Sequence, residues 1–136
     1  MSINNSISQS SSTYDLIKQA LNASSIRGNT ISNNIANINT ADYKRKYVTF
    51  EDTLNDSMDN ITMKKDNPKH LDDGNGYGTI SVKEDDSSSM KSDGNNVDID
   101  AEMSNQAQNT LMYEALSSQA SSRIAMRKLV ITGGGN

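Results

Sequence analysis

The chain has 136 residues, a formal net charge of -4, 33% hydrophobic residues, one Phe, no Trp and no Cys. The absence of cysteine excludes disulfides and thiol chemistry, and the acidic balance argues against nonspecific nucleic-acid binding, which needs many Lys or Arg at phosphates. With 17 Asn and 20 Ser, little apolar surface is available to offset chain entropy, so a loosely packed monomer or long flexible parts are expected.

Residues 1–11 are polar and read as a flexible N-terminus. They hold no basic segment followed by an apolar one, so no cleavable signal peptide is expected. No run of about 18 apolar residues suggests a membrane span. Residues 12–58 begin with Ser12 and Asp15 in capping-box spacing, which predicts a helix start at Ser12. Tyr14, Ile17, Leu21, Ser24, Gly28, Ile31, Ile35 and Ile38 then alternate by three and four, the signature of a heptad seam. Ser24 and Gly28 thin that seam, admitting a close neighbour at some cost in helix propensity. The helix should stop near Asn37 to Asn39, since Asn tolerates left-handed backbone. Residues 46–50, KYVTF, alternate weakly and suggest a short strand, and residues 51–58 a turn of helix.

Residues 59–97 are rich in Gly, Asp, Ser and Asn. They read as a polar insert, either flexible or a small β hairpin, with Tyr77 to Val82 as its strand-like patch and Asp93 to Asn96 as a turn. Residues 98–136 predict a second long helix, capped by Asp98 or Asp100, with Glu102 in its first turn. Its stripe is Met103, Gln106, Thr110, Tyr113, Ser117, Ala120, Ile124 and Ile131. A neighbouring stripe is Ala107, Leu111, Ala115, Met126 and Val130. The expected fold is therefore mainly α. Long N- and C-terminal helices pair as an antiparallel coiled coil around a polar, partly disordered or small β middle. Neither helix can hide its seam alone, which points to assembly rather than catalysis.

Catalytic signals are weak. His70 is the sole histidine, and a metal site needs several converging ligands. Asp93, Asp98, Asp100 and Glu102 fail the calcium-loop spacing, because Asp98 stands where that loop needs Gly and Ser104 where it needs Glu. Helix capping accounts for them better. DGNGYG lacks the following helix and the Lys of a phosphate loop, and no Ser lies in a nucleophile-elbow context. No cofactor is expected. Lys44, Arg45 and Lys46 form the densest basic cluster. They fit a solvated bend, or a contact with the acidic 84–102 region of a neighbouring subunit.

The stretch NNIANINTADYKRKYVTFEDTL resembles the N-terminal signature of the bacterial flagellar rod and hook family, usually A-N-N-[IL]-A-N-x-[NS]-T-x-G-[YF]-K. The match runs through Asn33, Asn34, Ile35, Ala36, Asn37, Asn39, Thr40, Tyr43 and Lys44. KRKYVTFEDTL after the motif, NPKHL in the middle and DGNNVDIDAEMSNQAQNTLMYEALSSQ later are most similar to the proximal rod subunits of the basal body. Ala41-Asp42 replaces the family's common Pro-Gly, which predicts a more mobile bend, and Ser32 replaces the usual Ala.

The resemblance implies a non-enzymatic structural protein, exported unfolded by the flagellar type III apparatus. It implies a place in the basal body above the inner membrane, in a helical tube with paired terminal helices as its core. The implied partners are other rod subunits, the inner-membrane ring protein, the rod-ring adaptor protein and further copies of the chain. Ile17, Leu21, Ile31, Ile35, Tyr113, Ala120 and Ile124 are expected to carry the coiled core, although packing within one chain would also explain them. Asn33, Asn34, Asn37, Asn39 and Thr40 should shape the helix exit and bond across subunits. Capping suffices for Asn37 or Asn39 but not for all five. Tyr43 would anchor the bend, Lys44 would belong to the assembly interface, and Met103, Asn105 and Asn109 would line contacts near the second helix start. A secreted type III helical-hairpin or needle-like protein would share the coil, but would not need paired signatures at 33–44 and 93–114.

Overall fold

The computed structural model describes residues 2–51, 54, 78–88 and 92–133, with the side chains of the first helix described from Thr13 onward. Four elements follow in chain order: α1 (Ser2–Ala36), β1 (Lys46–Thr49), β2 (Ser81–Glu84) and α2 (Ile99–Ile131). The helices pair antiparallel. Asn34 meets Glu102, Ser24 meets Asn109, and Tyr14 lies under the Arg127 guanidinium. The mainly helical architecture with a small β middle is the expected one.

On α1 the heptad reading holds. Ile17, Ser24 and Ile31 are buried, and Leu21, Gly28 and Ile35 are half-buried. The start differs: α1 begins at Ser2, so Ser12 and Asp15 sit inside it rather than at a cap. No Gly or Pro precedes Gly28, and an established helix propagates through polar residues of ordinary propensity.

On α2 the seam is rotated by about one residue. The buried or half-buried positions of α2 are Glu102, Asn105, Gln106, Asn109, Leu116, Ala120 and Arg123, so Gln106 and Ala120 of the expected stripe keep their place. Met103, Tyr113 and Ile124, expected in the coil, are exposed in the chain. The apolar side chains misled because the seam's best partners are polar. Ser24 and Asn34 on α1 select Asn109 and Glu102 on α2.

β1 and β2 pair antiparallel, with Lys46 opposite Glu84 and Thr49 opposite Ser81. The two hydroxyls of Thr49 and Ser81 lie 2.8 Å apart. Val48, Thr49 and Phe50 are buried, and the buried apolar residues among those described are Ile17, Ala23, Ile31, Val48, Phe50 and Val97. The strand at 46–50 and part of the 77–82 patch thus pair with each other. Glu51 and Leu54 are helical, and Leu54 N donates to Phe50 O at 2.9 Å. The rest of the 51–58 turn, Tyr77 and most of the 59–97 insert, including His70, lie outside the described residues.

Candidate assembly interface

The exit of α1 is organised by one asparagine. Asn34 is fully buried, and its amide uses all four hydrogen-bonding positions. Nδ2 donates to Lys46 O (2.7 Å) and to Glu102 Oε2 (2.9 Å). Oδ1 accepts from Lys46 N (2.9 Å) and the Tyr43 hydroxyl (3.2 Å). Asn34 therefore ties α1, the bend, β1 and α2 at one point. The fully buried Glu102 also accepts from Arg45 Nε at 2.6 Å. Burial raises the Tyr43 hydroxyl above its usual range, with the Glu84 and Glu102 charges adding to it.

A second asparagine closes the helix from afar. Asn95, also fully buried, donates Nδ2 to the carbonyls of Asn37, Ile38 and Thr40 at 2.9, 3.1 and 2.9 Å. These carbonyls lie in the turn just past the end of α1 at Ala36, so Asn95 pins the exit of the helix. Asn37 Nδ2 returns to Asn33 O at 2.8 Å, so Asn37 is the local cap and Asn95 the distant one. Asn96 accepts from Arg45 N (2.7 Å) and donates to Asp85 O (2.8 Å), holding the bend to the irregular segment that follows β2. Asn95 and Asn96 were not singled out from sequence. Their only signal was membership in a polar DGNN turn.

The bend is tightly constrained. Asp42 takes φ +58, the left-handed value the family's glycine would supply, and its N donates to Asp93 O at 2.9 Å. Gly94 has φ +79, and a Cβ there would fall 2.4 Å from Asp42 Oδ1. A side chain at position 94 would require the Asp42 carboxylate to move. The mobility expected from losing Pro-Gly is thus opposed by this crossing. The basic cluster is also largely spent inside the chain. Arg45 pairs with Glu102 and lies 3.8 Å from Asp85, and Lys44 Nζ donates to Gly94 O at 3.1 Å. The acidic 84–102 region expected on a neighbour is met within the same molecule. The Asp85 carboxyl is held below its usual range, first by hydrogen bonds from Ser87 and then by Arg45 and Lys44.

Midway along the hairpin, Asn109 replaces an apolar knob. Its Oδ1 accepts from Ser24 Oγ (2.8 Å) and its Nδ2 donates to Ser24 O (3.0 Å). Gly28 makes the room, since a Cβ there would sit 3.3 Å from Asn109 Nδ2. Beside it a groove of about 320 Å³ runs between β1 and α2, with Arg27, Tyr47, Asn105 and Met112 on its walls. Arg27 spans it to Glu51, 2.6 Å away. Burial alone would raise the Glu51 carboxyl, but the bonds from Arg27 and from the backbone hold it below the usual range.

A family described as flagella basal body rod protein matches this chain over residues 18–44, from mid-α1 through the bend. The flagellar basal body rod protein FlgB of Bacillus subtilis (strain 168) is 35% identical over 124 residues, covering 91% of this chain and 96% of that one. The chain belongs to the FlgB family of flagellar basal body rod proteins. The FlgB of Borrelia hermsii is 39% identical over 110 residues, covering 74% of this chain and 82% of its own. The family is one of structural proteins, not of enzymes.

Within this FlgB-type chain, the residues singled out from sequence fall into two groups. Ile17, Leu21, Ile31, Asn34, Ile35, Asn37, Tyr43, Lys44, Asn105, Asn109 and Ala120 are buried or half-buried in the hairpin. Asn33, Asn39, Thr40, Met103, Tyr113 and Ile124 face outward. α2 is the apolar exterior of the molecule, because Leu111, Met126, Leu129, Val130 and Ile131 are also exposed.

Proposed function

We propose that the chain is a structural subunit of the proximal rod. It joins copies of itself and other rod subunits through its terminal helices, in a helical tube that carries torque outward from the inner-membrane ring. The carrying observation is the contrast between the two faces of α2. Its inner seam is polar and hydrogen-bonded, while Leu111, Met126, Leu129, Val130 and Ile131 stand in solvent. Large apolar side chains left exposed in this number along one helix mark an interaction surface. Repetition of unlike faces builds open filaments rather than closed dimers.

The partners on this reading are other rod subunits, the inner-membrane ring protein and the rod-ring adaptor. Export through the flagellar type III apparatus suits a core with few large side chains. Asn33, Asn39 and Thr40 are exposed at the exit of α1 for contacts between subunits, and Met103, Tyr113 and Ile124 are exposed along α2. The test is localisation in purified basal bodies from cells carrying an epitope-labelled chain. The label is expected in the rod segment just above the inner-membrane ring. Label recovered only in the culture medium would favour a secreted helical-hairpin or needle-like protein instead.

A further inference from the structure

The last turns of α2 combine apolar exposure with positive charge. Leu129, Val130 and Ile131 are 61%, 80% and 83% exposed. Residues 13–20 and 118–131, which form this end of the hairpin, carry four bases (Lys18, Arg123, Arg127, Lys128) against Asp15 alone. The opposite end is the reverse. There the described residues among 42–46 and 83–102 carry eight acids against four bases. That end also holds a groove of about 310 Å³ with Ile38, Val97 and Ile99 on its walls and Asp98 at its rim. Ile99 is partly exposed, and its chain neighbours Asp98 and Asp100 are exposed.

Resting on the assembly reading above, we propose that the α2 terminus (Met126–Ile131) of one copy docks head to tail in the Ile38–Val97–Ile99 groove of a second copy. Lys128 then faces the Asp98 and Asp100 carboxylates. One molecule cannot make this contact with itself, because Ile99 and Val130 are separated by about 46 Å of helix at 1.5 Å per residue. The joint is heterologous and open-ended. Apolar burial holds it, and the opposed charges orient it, steering the basic end away from a second basic end. Exposed charges of this kind are screened by salt.

The chain has no native cysteine, so the contact can be mapped covalently. Under mild oxidation, the full chain carrying Ile99→Cys and Val130→Cys should form a ladder of disulfide-linked oligomers. A Glu114→Cys and Val130→Cys control, with the first cysteine moved to mid-helix, should give no such ladder. In sedimentation, Lys128→Glu or Asp100→Lys alone should weaken self-association about tenfold at low salt, and the double variant should restore it. Equal ladders from the mapped and control pairs would overturn the proposal. So would failure of the double variant to recover, or a wild-type chain that stays monomeric at every concentration. None of these results would move the chain out of the rod in labelled basal bodies, so the joint and the proposed function fail separately.

Discussion

Asn34 Nδ2 lies 2.9 Å from Glu102 Oε2, and both side chains are fully removed from solvent. A buried carboxylate is tolerable only when its oxygens are satisfied. Here one oxygen takes the Asn34 amide and the other the Arg45 guanidinium. The pair fixes the register of α1 against α2 and, through Arg45, the register of the bend.

Removing the carboxylate strands both donors. Glu102→Ala is expected to destabilise the chain by about 3 kcal/mol, at the lower end of the cost of breaking a buried pair because Arg45 is partly solvated. Urea denaturation followed by circular dichroism at neutral pH measures this. A loss under about 1 kcal/mol would mean that water replaces Glu102 without penalty.

The Asp42–Gly94 crossing makes a separate prediction. Gly94→Ala must place a Cβ against Asp42 at positive φ and should cost about 2 kcal/mol. Gly133 has a similar φ of +70 with nothing near its missing Cβ, so Gly133→Ala isolates the backbone part of the cost. Asp42→Gly also relieves the positive φ of Asp42 itself, so the steric part is what Asp42→Gly recovers in the Gly94→Ala background beyond its effect in the wild-type chain. Equal losses at positions 94 and 133 would show that the contact with Asp42 is unimportant.

Gly28 and Asn109 should be coupled. Asn109 is pinned by two bonds to Ser24 and cannot retreat from a Cβ at position 28. Gly28→Ala is therefore expected to destabilise the wild-type chain despite its better helix propensity. In an Asn109→Ala background the same change should stabilise by about 1 kcal/mol, the intrinsic preference for Ala in a helix. A double-mutant cycle reads the sign change directly. Additive effects would place the helices farther apart than the structure has them.

Acid should loosen the groove. The folded Glu51 carboxyl titrates below its unfolded value. Its contribution is present above the unfolded carboxylate range and is lost as pH falls through the depressed folded value. Nearly half of its side chain is exposed, so the effect should be about 0.5 kcal/mol. Arg27→Met should remove that increment from the fall in urea midpoint between neutral and acid pH. An unchanged slope would rule out the ion pair as its source.

The legible parts of the fold were those written in apolar spacing or in caps. Ile17, Ile31 and the small Ser24 and Gly28 placed the α1 seam correctly, Asp98 announced the start of α2, and KYVT announced β1. The α2 seam was misread because its buried positions are Glu102 and Asn109, whereas apolar patterning pointed to Met103 and Tyr113. Those outward residues carry the opposite message, a face left for something outside the chain. The hubs at Asn34 and Asn95 were legible only as an asparagine-rich exit. Their specificity depends on partners 68 residues away for Asn34 and 55 to 58 residues away for Asn95, and no local pattern encodes such pairings.

The most direct test is the solvent reactivity of single cysteines at Leu111, Met126 and Val130, in motile cells complemented by each variant. Free purified chain should be labelled rapidly at all three positions. The same positions in isolated basal bodies should be protected, because α2's outer face is then covered by neighbouring subunits. Equal labelling of free chain and basal bodies would contradict an assembly role for that face.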